Sequence, residues 1–147
     1  MGADPYCYFV DYESDTNAAL QRLREREFRA GRYNPVMSYP GFMIKPQSPA
    51  PGAQHATIEQ AVAAAGEDGT RSILDLRSVG DNPDFGVAAR VPEEKLEMLF
   101  ETTQPTHEMI ESEMSIFDEV DRGQGVCIVV YKDGQPSELF FAGYSYD

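Results

Sequence analysis

Cysteine is scarce in this chain, and its scarcity limits the fold and the setting that the protein can have. The 147 residues include two cysteines, Cys7 and Cys127, no tryptophan and two histidines. A disulfide-stabilised scaffold needs more cysteines, so we expect the core to depend on apolar packing. Both cysteines lie in apolar, strand-like segments, where a free thiol usually serves as a small core side chain. The sequence therefore predicts a protein of a reducing, cytoplasmic compartment.

Long apolar runs and positive charge are lacking as well. No segment approaches the roughly 20 apolar residues of a membrane-spanning helix, and the first residues have no basic stretch of the kind that begins a signal peptide. Tyr6 stands where a myristoylation signal has serine or threonine. Twelve Lys and Arg stand against 25 Asp and Glu, giving a net charge of −13. This balance argues against binding to nucleic-acid phosphates and to anionic membranes.

Sequence signatures of catalysis and cofactor binding are also missing. The chain contains neither of the phosphate-cradling loops G-x-x-x-x-G-K-[ST] and G-x-G-x-x-G, and no G-x-S-x-G nucleophile elbow. His55 and His107 are far apart and have no metal-ligand spacing around them. We therefore predict no cofactor, no metal site and no catalytic residues, and enzymatic activity is the less favoured interpretation.

The residues that are present predict one α+β domain covering 1–147. The apolar run 126–131 is followed by an Asp-Gly pair, a preferred two-residue turn, which predicts a C-terminal β-hairpin. The Pro-rich stretch 34–54 has no periodicity and predicts a long loop. We expect a mostly antiparallel sheet with helices packed on one side. The predicted strands are 6–12, 71–79, 87–91, 126–131 and 137–144, and the predicted helices are 16–29, 57–65, 92–101 and 107–121.

The negative charge is concentrated in one part of the chain. Residues 92–121 hold ten acids and a single Lys or Arg, Lys95. On a helical projection of 107–121 the apolar residues form a core-facing stripe, and a group of acids points away from it. These acids are Glu108, Glu111, Asp118 and Glu119. Asp118 and Glu119 fall in the last turn of the predicted helix, where acids oppose the helix dipole. This placement favours a surface that binds a basic partner over one that only confers solubility. Neutralisation by Arg122 or other arginines of the chain is the alternative.

A second group of residues forms a candidate ligand site. Residues 20–34 hold five arginines against two glutamates, and charged residues fall inside the apolar spans of two predicted helices, where a carboxylate needs a partner. The candidates are Arg24, Glu27, Arg32, Tyr33 and Glu113. Glu27 and Glu113 are the carboxylates that the projections single out for acid–base chemistry. The structural alternative is an Arg24–Glu27 pair at the core edge, with arginines complementing the helix end at Gly31.

The first strand and the end of the first predicted helix resemble a pattern found in small bacterial proteins that have no established activity. The pattern comprises Tyr8-Phe9-Val10, Ala19-Leu20-x-x-Leu23-Arg24 and Glu27-Phe28-x-Ala30-Gly31-Arg32-Tyr33-x-Pro35. In size and acidity the chain is also similar to immunity proteins, which neutralise bacterial toxins. These resemblances imply a bacterial protein with a binding role, and they assign no site residues.

Three hypotheses about function follow from these patterns. The first is a non-catalytic, immunity-like protein whose 92–121 helical face engages a basic protein surface, such as that of a toxin. The alternative is a small enzyme or ligand-binding domain that uses the second group of residues. A third is a homo-oligomer joined through strands rich in tyrosine. Neither nucleic acid nor a membrane is an expected partner.

Overall fold

The computed structural model describes residues 3–146, which form one five-stranded sheet in the order β1-β5-β4-β3-β2. The strands are β1 (Pro5–Asp11), β2 (Ser78–Gly80), β3 (Val87–Arg90), β4 (Gly125–Lys132) and β5 (Gln135–Tyr144). The α-helices are α1 (Thr16–Ala30), α2 (Ile58–Ala65), α3 (Glu93–Phe100) and α4 (His107–Ser112). Short 3₁₀ segments cover Gly66–Asp68, Ile73–Asp75 and Ser115–Glu119.

The sheet is mixed, and its longer pairings are antiparallel. Strand β5 pairs antiparallel with β1 over seven residue pairs and with β4 over eight. Strands β2, β3 and β4 run parallel, with three residue pairs at each contact. Asp133 and Gly134 both have positive φ in the turn between β4 and β5, as the predicted Asp-Gly hairpin requires. The predicted α+β class and the C-terminal hairpin are confirmed.

Helices cover both faces of the sheet, so the prediction of helices on one side is wrong. Tyr6 and Tyr8 of β1 point into a core with α1, α2 and the 3₁₀ segment Ile73–Asp75. Cys7, between them, points into a second core with α3, α4 and the segment Ser115–Glu119. Strands β4 and β5 are apolar on both faces. A sheet of this kind excludes water only when both of its faces are covered.

Local capping signals are confirmed at the helix ends. Helix α1 begins after Asp15, whose side chain accepts a hydrogen bond from the backbone N–H of Ala18 at 3.0 Å. It ends at Gly31, which adopts the left-handed conformation at φ 73°. Thr57 caps α2 by accepting a bond from the N–H of Gln60. The side-chain oxygens of Asp15 and Thr57 accept bonds from backbone N–H groups that the helix leaves unpaired. Gly31 ends its helix because glycine adopts the left-handed conformation without steric strain.

The predicted strand 71–79 is largely wrong. The chain forms the 3₁₀ segment Ile73–Asp75 there, and only Ser78–Gly80 is a strand. The Ser72 hydroxyl accepts a bond from the N–H of Leu74, and the Asp75 carboxylate accepts one from the N–H of Thr70. These side chains bind the backbone locally and so compete with a sheet ladder.

The predicted helix 107–121 is shorter than expected. Helix α4 ends at Ser112, and Glu113 has extended backbone angles before the 3₁₀ segment Ser115–Glu119 begins. The Ser112 hydroxyl donates to the carbonyl of Glu108, and the Glu113 carboxylate accepts from the N–H of Ser115. Apolar residues beyond this break still pack on the sheet. The apolar spacing therefore reports a buried face but not one continuous helix.

The two cysteines lie in the same sheet on opposite faces. Strand β5 separates β1, which carries Cys7, from β4, which carries Cys127. Burial raises the pKa of both thiols to about 12, so neither supplies a thiolate nucleophile near neutral pH. The predicted core role of both side chains is confirmed by their burial.

The Pro-rich segment 34–54 lies along β1 as a long loop. The N–H of Cys7 donates to the carbonyl of Phe42 at 2.7 Å, and the N–H of Ile44 donates to the carbonyl of Cys7. These bonds cover the outer edge of β1, which would otherwise be open to pairing with another chain. Across residues 3–146, no helix combines the length and apolarity needed to cross a membrane.

Candidate functional site

The outward side of α3, α4 and the segment Ser115–Glu119 carries many exposed acids, and we call it the acidic layer. These elements pack on one sheet face through a shared set of buried side chains, namely Leu96, Phe100, Ile110, Ile116 and Phe117. Their acids consequently lie on the same side of the molecule. The exposed acids of these elements are Glu93, Glu94, Glu97, Glu108, Glu111, Asp118 and Glu119.

The four acids predicted to bind a partner are exposed in this layer, in two separate elements. Glu108 and Glu111 lie on α4, whereas Asp118 and Glu119 follow the break at Glu113. Glu119 forms an ion pair with Lys95, and Glu111 lies 3.3 Å from His107. The structure therefore does not form the single helical face that the projection predicted, and two of the four acids already have partners within the chain.

Two methionines are exposed within the acidic layer. Met98 on α3 is 73% exposed and Met109 on α4 is 42% exposed. Methionine is an adaptable side chain that is enriched in protein interfaces. Both methionines stand in helices whose other exposed residues are mainly acidic. The layer thus combines negative charge with apolar contact area.

His107 is held between two carboxylates at the first turn of α4. Its Nδ1 lies 2.8 Å from Glu138, its Nε2 lies 3.3 Å from Glu111, and its ring stacks on Phe9 at 3.8 Å. Partial burial alone would lower the pKa of His107, but Glu138 and then Glu111 outweigh it and raise the pKa. The ring borders an open cleft of about 600 Å³, whose lining has one lysine, Lys132, against the acids Asp11, Glu108, Asp133 and Glu138. This cleft extends the negative surface beyond the acidic layer.

Glu27 and Arg32, predicted for a ligand site, form a buried ion pair. Arg32 donates from Nε and Nη2 to the two carboxylate oxygens of Glu27, at 2.7 and 2.8 Å, and both side chains are almost fully buried. Arg26 donates a further bond to Glu27 at 2.8 Å. The remaining Arg32 terminal nitrogen donates to the carbonyl of Ser48. The pair therefore fastens the Pro-rich loop to the end of α1.

Tyr33 and Gly31 complete this loop anchor. The Tyr33 hydroxyl lies 2.8 Å from Nδ1 of His55 and accepts a bond from the N–H of Gln54. A Cβ at Gly31 would lie 2.2 Å from the carbonyl oxygen of Gly52, so only glycine allows the two backbones to approach this closely. Glu27, Gly31, Arg32 and Tyr33 of the bacterial sequence pattern therefore all make contacts within the protein.

The predicted ligand site is not brought together. Glu113 lies in the layer on the opposite sheet face from α1 and binds the N–H of Ser115. Arg24 does not form the predicted pair with Glu27, which binds Arg26 and Arg32. The terminal nitrogens of Arg24 donate instead to Gln21 and to the carbonyl of Leu74. Within residues 3–146, no group of three or more His, Cys, Asp or Glu side chains is arranged to hold a metal ion.

The five arginines of residues 20–34 all have partners within the chain. Besides the contacts of Arg24, Arg26 and Arg32, Arg22 binds Glu13 and Arg29 binds Glu25. The positive charge of residues 20–34 is therefore largely neutralised by neighbouring acids of the chain. The acidic layer has no comparable set of arginines on its own elements, since Lys95 is the single Lys or Arg of residues 92–121.

The sequence interpretation missed Asp75. Its side chain is 1% exposed, and burial raises its pKa to about 6 even though hydrogen bonds from Thr70 act in the opposite direction. A perturbed carboxyl group beside a cleft is a recognised mark of a functional site. The available signal was an acid in the middle of the apolar run Ile73-Leu74-Asp75-Leu76.

No protein-family model, curated protein or solved structure matches this chain.

Proposed function

We propose that this protein is a non-catalytic binding protein whose acidic layer engages a basic protein surface. The observation that carries the proposal is the packing of α3, α4 and the segment Ser115–Glu119 on one sheet face, which collects their acids on one side. A charge collected in this way steers a positively charged partner and raises its rate of association.

The internal ion pairs support this division of the surface. On the α1 side, acids and arginines are matched to one another, and Arg32 is buried with Glu27. In the acidic layer, Lys95 forms an ion pair with Glu119, and His107 lies beside Glu111. Surface ion pairs contribute little to stability. Glu111 and Glu119 can therefore exchange these partners for basic groups of a bound protein with little loss of folding free energy.

The exposed methionines indicate what the partner offers besides charge. Met98 and Met109 give apolar contact area within the layer. An interface needs such a centre, because charge alone adds more to the rate and specificity of association than to its strength. The partner that fits has lysines and arginines around an apolar patch. A toxin with a basic active site is one partner of this kind, and the layer would block that site as an immunity protein does.

Nuclear magnetic resonance mapping tests the location of the surface. The probe is a lysine-rich peptide with an apolar stripe, titrated into isotope-labelled protein at low ionic strength. We expect the backbone amides of α3, α4 and the segment Ser115–Glu119 to shift first. Shifts confined to α1, α2 or the loop 34–54 would contradict the proposal.

A further inference from the structure

A cleft on the opposite side of the sheet from the acidic layer has unsatisfied polar groups in its wall. It has a volume of about 400 Å³, within the range of small-molecule sites. It lies where α1, α2, the segment Ile73–Asp75, the turn at Phe85 and the chain near Tyr146 meet. Its apolar wall is formed by Ile58, Val62, Leu74, Phe85 and Tyr146, and its charged groups are Arg24, Glu59, Asp75 and Arg77.

Asp75 has one satisfied and one unsatisfied carboxylate oxygen. Oδ1 accepts bonds from the N–H of Thr70 at 2.9 Å and from its hydroxyl at 2.8 Å. Oδ2 is buried and has no hydrogen-bond partner of good geometry among the described residues, although the backbone N–H of Arg71 acts on the carboxyl group and lowers its pKa. A Cβ at Gly69 would lie 2.8 Å from this oxygen and 2.8 Å from the Tyr146 ring. Oδ2 therefore lies near the Tyr146 ring, which lines the cleft.

Arg24, in the wall of the same cleft, has a hydrogen-bond donor that lacks an acceptor. Its Nη1 donates to Gln21 at 2.9 Å and its Nη2 donates to the carbonyl of Leu74 at 3.2 Å. Its Nε is buried and has no acceptor within residues 3–146. A buried polar group without a partner is destabilising. Two such atoms of opposite charge beside one cleft call for a ligand that satisfies both.

We propose that this cleft binds a free α-amino acid with an apolar side chain. The ammonium group donates to Asp75 Oδ2, the carboxylate accepts from Arg24, and the side chain packs against Ile58 and Val62. A zwitterion satisfies the two opposite charges while adding no net charge to the cleft. This site is separate from the acidic layer, and its existence does not depend on the proposed protein partner.

Tyr146 lines the cleft near the buried oxygen. Its ring packs on Phe85 at a centroid distance of 4.6 Å, and Phe85 is half exposed. Since Oδ2 is out of contact with solvent, a neighbouring side chain must move for an ammonium group to reach it. We therefore expect a ligand to perturb Phe85 and Tyr146 as well as Asp75 and Arg24.

A ligand series on the wild-type protein tests the site without relying on any variant. L-leucine is titrated in parallel with 3-methylbutylamine, which lacks the carboxylate, and 4-methylpentanoate, which lacks the ammonium group. We expect saturable binding of L-leucine, at least tenfold weaker binding of the two analogues, and amide shifts at Asp75 and Phe85. Absence of L-leucine binding at millimolar concentration, or equal binding of all three compounds, would overturn the proposal.

Two variants assign the contacts. D75N keeps the size of the side chain and its acceptor for Thr70, and we expect it to weaken L-leucine binding at least tenfold. R24M should do the same, and D81N is the matched control because Asp81 is exposed and pairs with Arg90 instead. If D75N and R24M fold, as checked by circular dichroism, and bind L-leucine as D81N does, the assignment is wrong. If either fails to fold, the analogue series decides.

Discussion

Arg32 donates two hydrogen bonds to Glu27, at 2.7 and 2.8 Å, and both side chains are almost completely buried. The pair lies where α1 ends and the Pro-rich loop begins, and Arg32 also reaches the carbonyl of Ser48. One side chain thus neutralises a buried charge and fastens a long loop. The loop in turn covers the edge of β1 through Phe42 and Ile44.

Replacing Arg32 by methionine should destabilise the fold strongly. Glu27 would keep only Arg26 as a charged partner, and removing one member of a buried ion pair typically costs about 3–5 kcal/mol. We expect a loss of about 3 kcal/mol in the free energy of unfolding, measured by urea denaturation. R29M is the control, because the Arg29–Glu25 pair is exposed and such pairs contribute at most about 1 kcal/mol. Equal effects of the two substitutions would contradict the role given to Arg32.

Alanine substitutions at Gly31 and Gly134 distinguish the effect of backbone strain from that of a steric clash. Both have positive φ, 73° and 76°, so alanine at either position is disfavoured by about 1–2 kcal/mol. A Cβ at Gly31 would also meet Gly52 at 2.2 Å, whereas nothing lies within 4 Å at Gly134. We therefore expect G31A to lower the melting temperature clearly more than G134A. Similar losses for the two variants would show that the loop does not pack against the end of α1 as described.

Asp75 should make stability fall as pH rises. Its pKa in the folded protein is about 6, above its ordinary value of 3.8, so the folded state holds a proton that the unfolded state has lost. Stability contributed by the neutral acid is complete below about pH 4 and is lost as pH approaches and passes 6. The displacement corresponds to about 3 kcal/mol.

The substitution D75N tests this dependence. Asparagine keeps an acceptor for Thr70 and never ionises. It should therefore be more stable than the wild type at pH 7, with the difference shrinking toward pH 4. The other groups that act on Asp75, namely Arg24, Tyr6 and Tyr146, keep their charge state over this interval. A difference in unfolding free energy that does not vary with pH would contradict the account.

His107 should titrate above the ordinary histidine value of 6.5, because Glu138 and Glu111 favour its protonated form. The stability it contributes is present below pH 6.5 and is lost as pH rises through the higher folded value. Ring-proton resonances followed by nuclear magnetic resonance measure this pKa. Substituting glutamine for Glu138 should lower it, whereas the same substitution at Glu13, which pairs with Arg22, should leave it unchanged. A His107 pKa at or below 6.5 in the wild type would rule out this arrangement.

Local signals in the sequence predicted much of the fold. Asp15 and Gly31 bound α1 because capping depends on a side chain and a glycine within a few residues of the helix end. The Asp133-Gly134 turn is local in the same sense. The helix predicted through Glu113 and the strand predicted through Ser72 were wrong because short side-chain-to-backbone bonds changed the local backbone while the apolar pattern continued.

The candidate sites were less accessible from the sequence. The acids of residues 92–121 could be counted, but their collection on one side follows from where α3 and α4 pack on the sheet. Asp75 and Arg24 lie 51 residues apart in the chain, and periodicity within one element cannot show that they line one cleft. Glu27 was correctly singled out as a buried carboxylate that needs a partner, but its partner is Arg32 and its function is structural.

The negative charge is concentrated in the acidic layer, and two variants that have the same net charge test this location most directly. One variant combines E97Q, E108Q and D118N in the acidic layer, and the other combines E67Q, D68N and D84N, all exposed residues away from it. The measurement is the association rate constant with the lysine-rich peptide at several salt concentrations. The account predicts that the first variant associates more slowly and with a weaker salt dependence, while the second stays close to wild type. Equal slowing in both variants would mean that net charge alone attracts the peptide, and would contradict a localised binding surface.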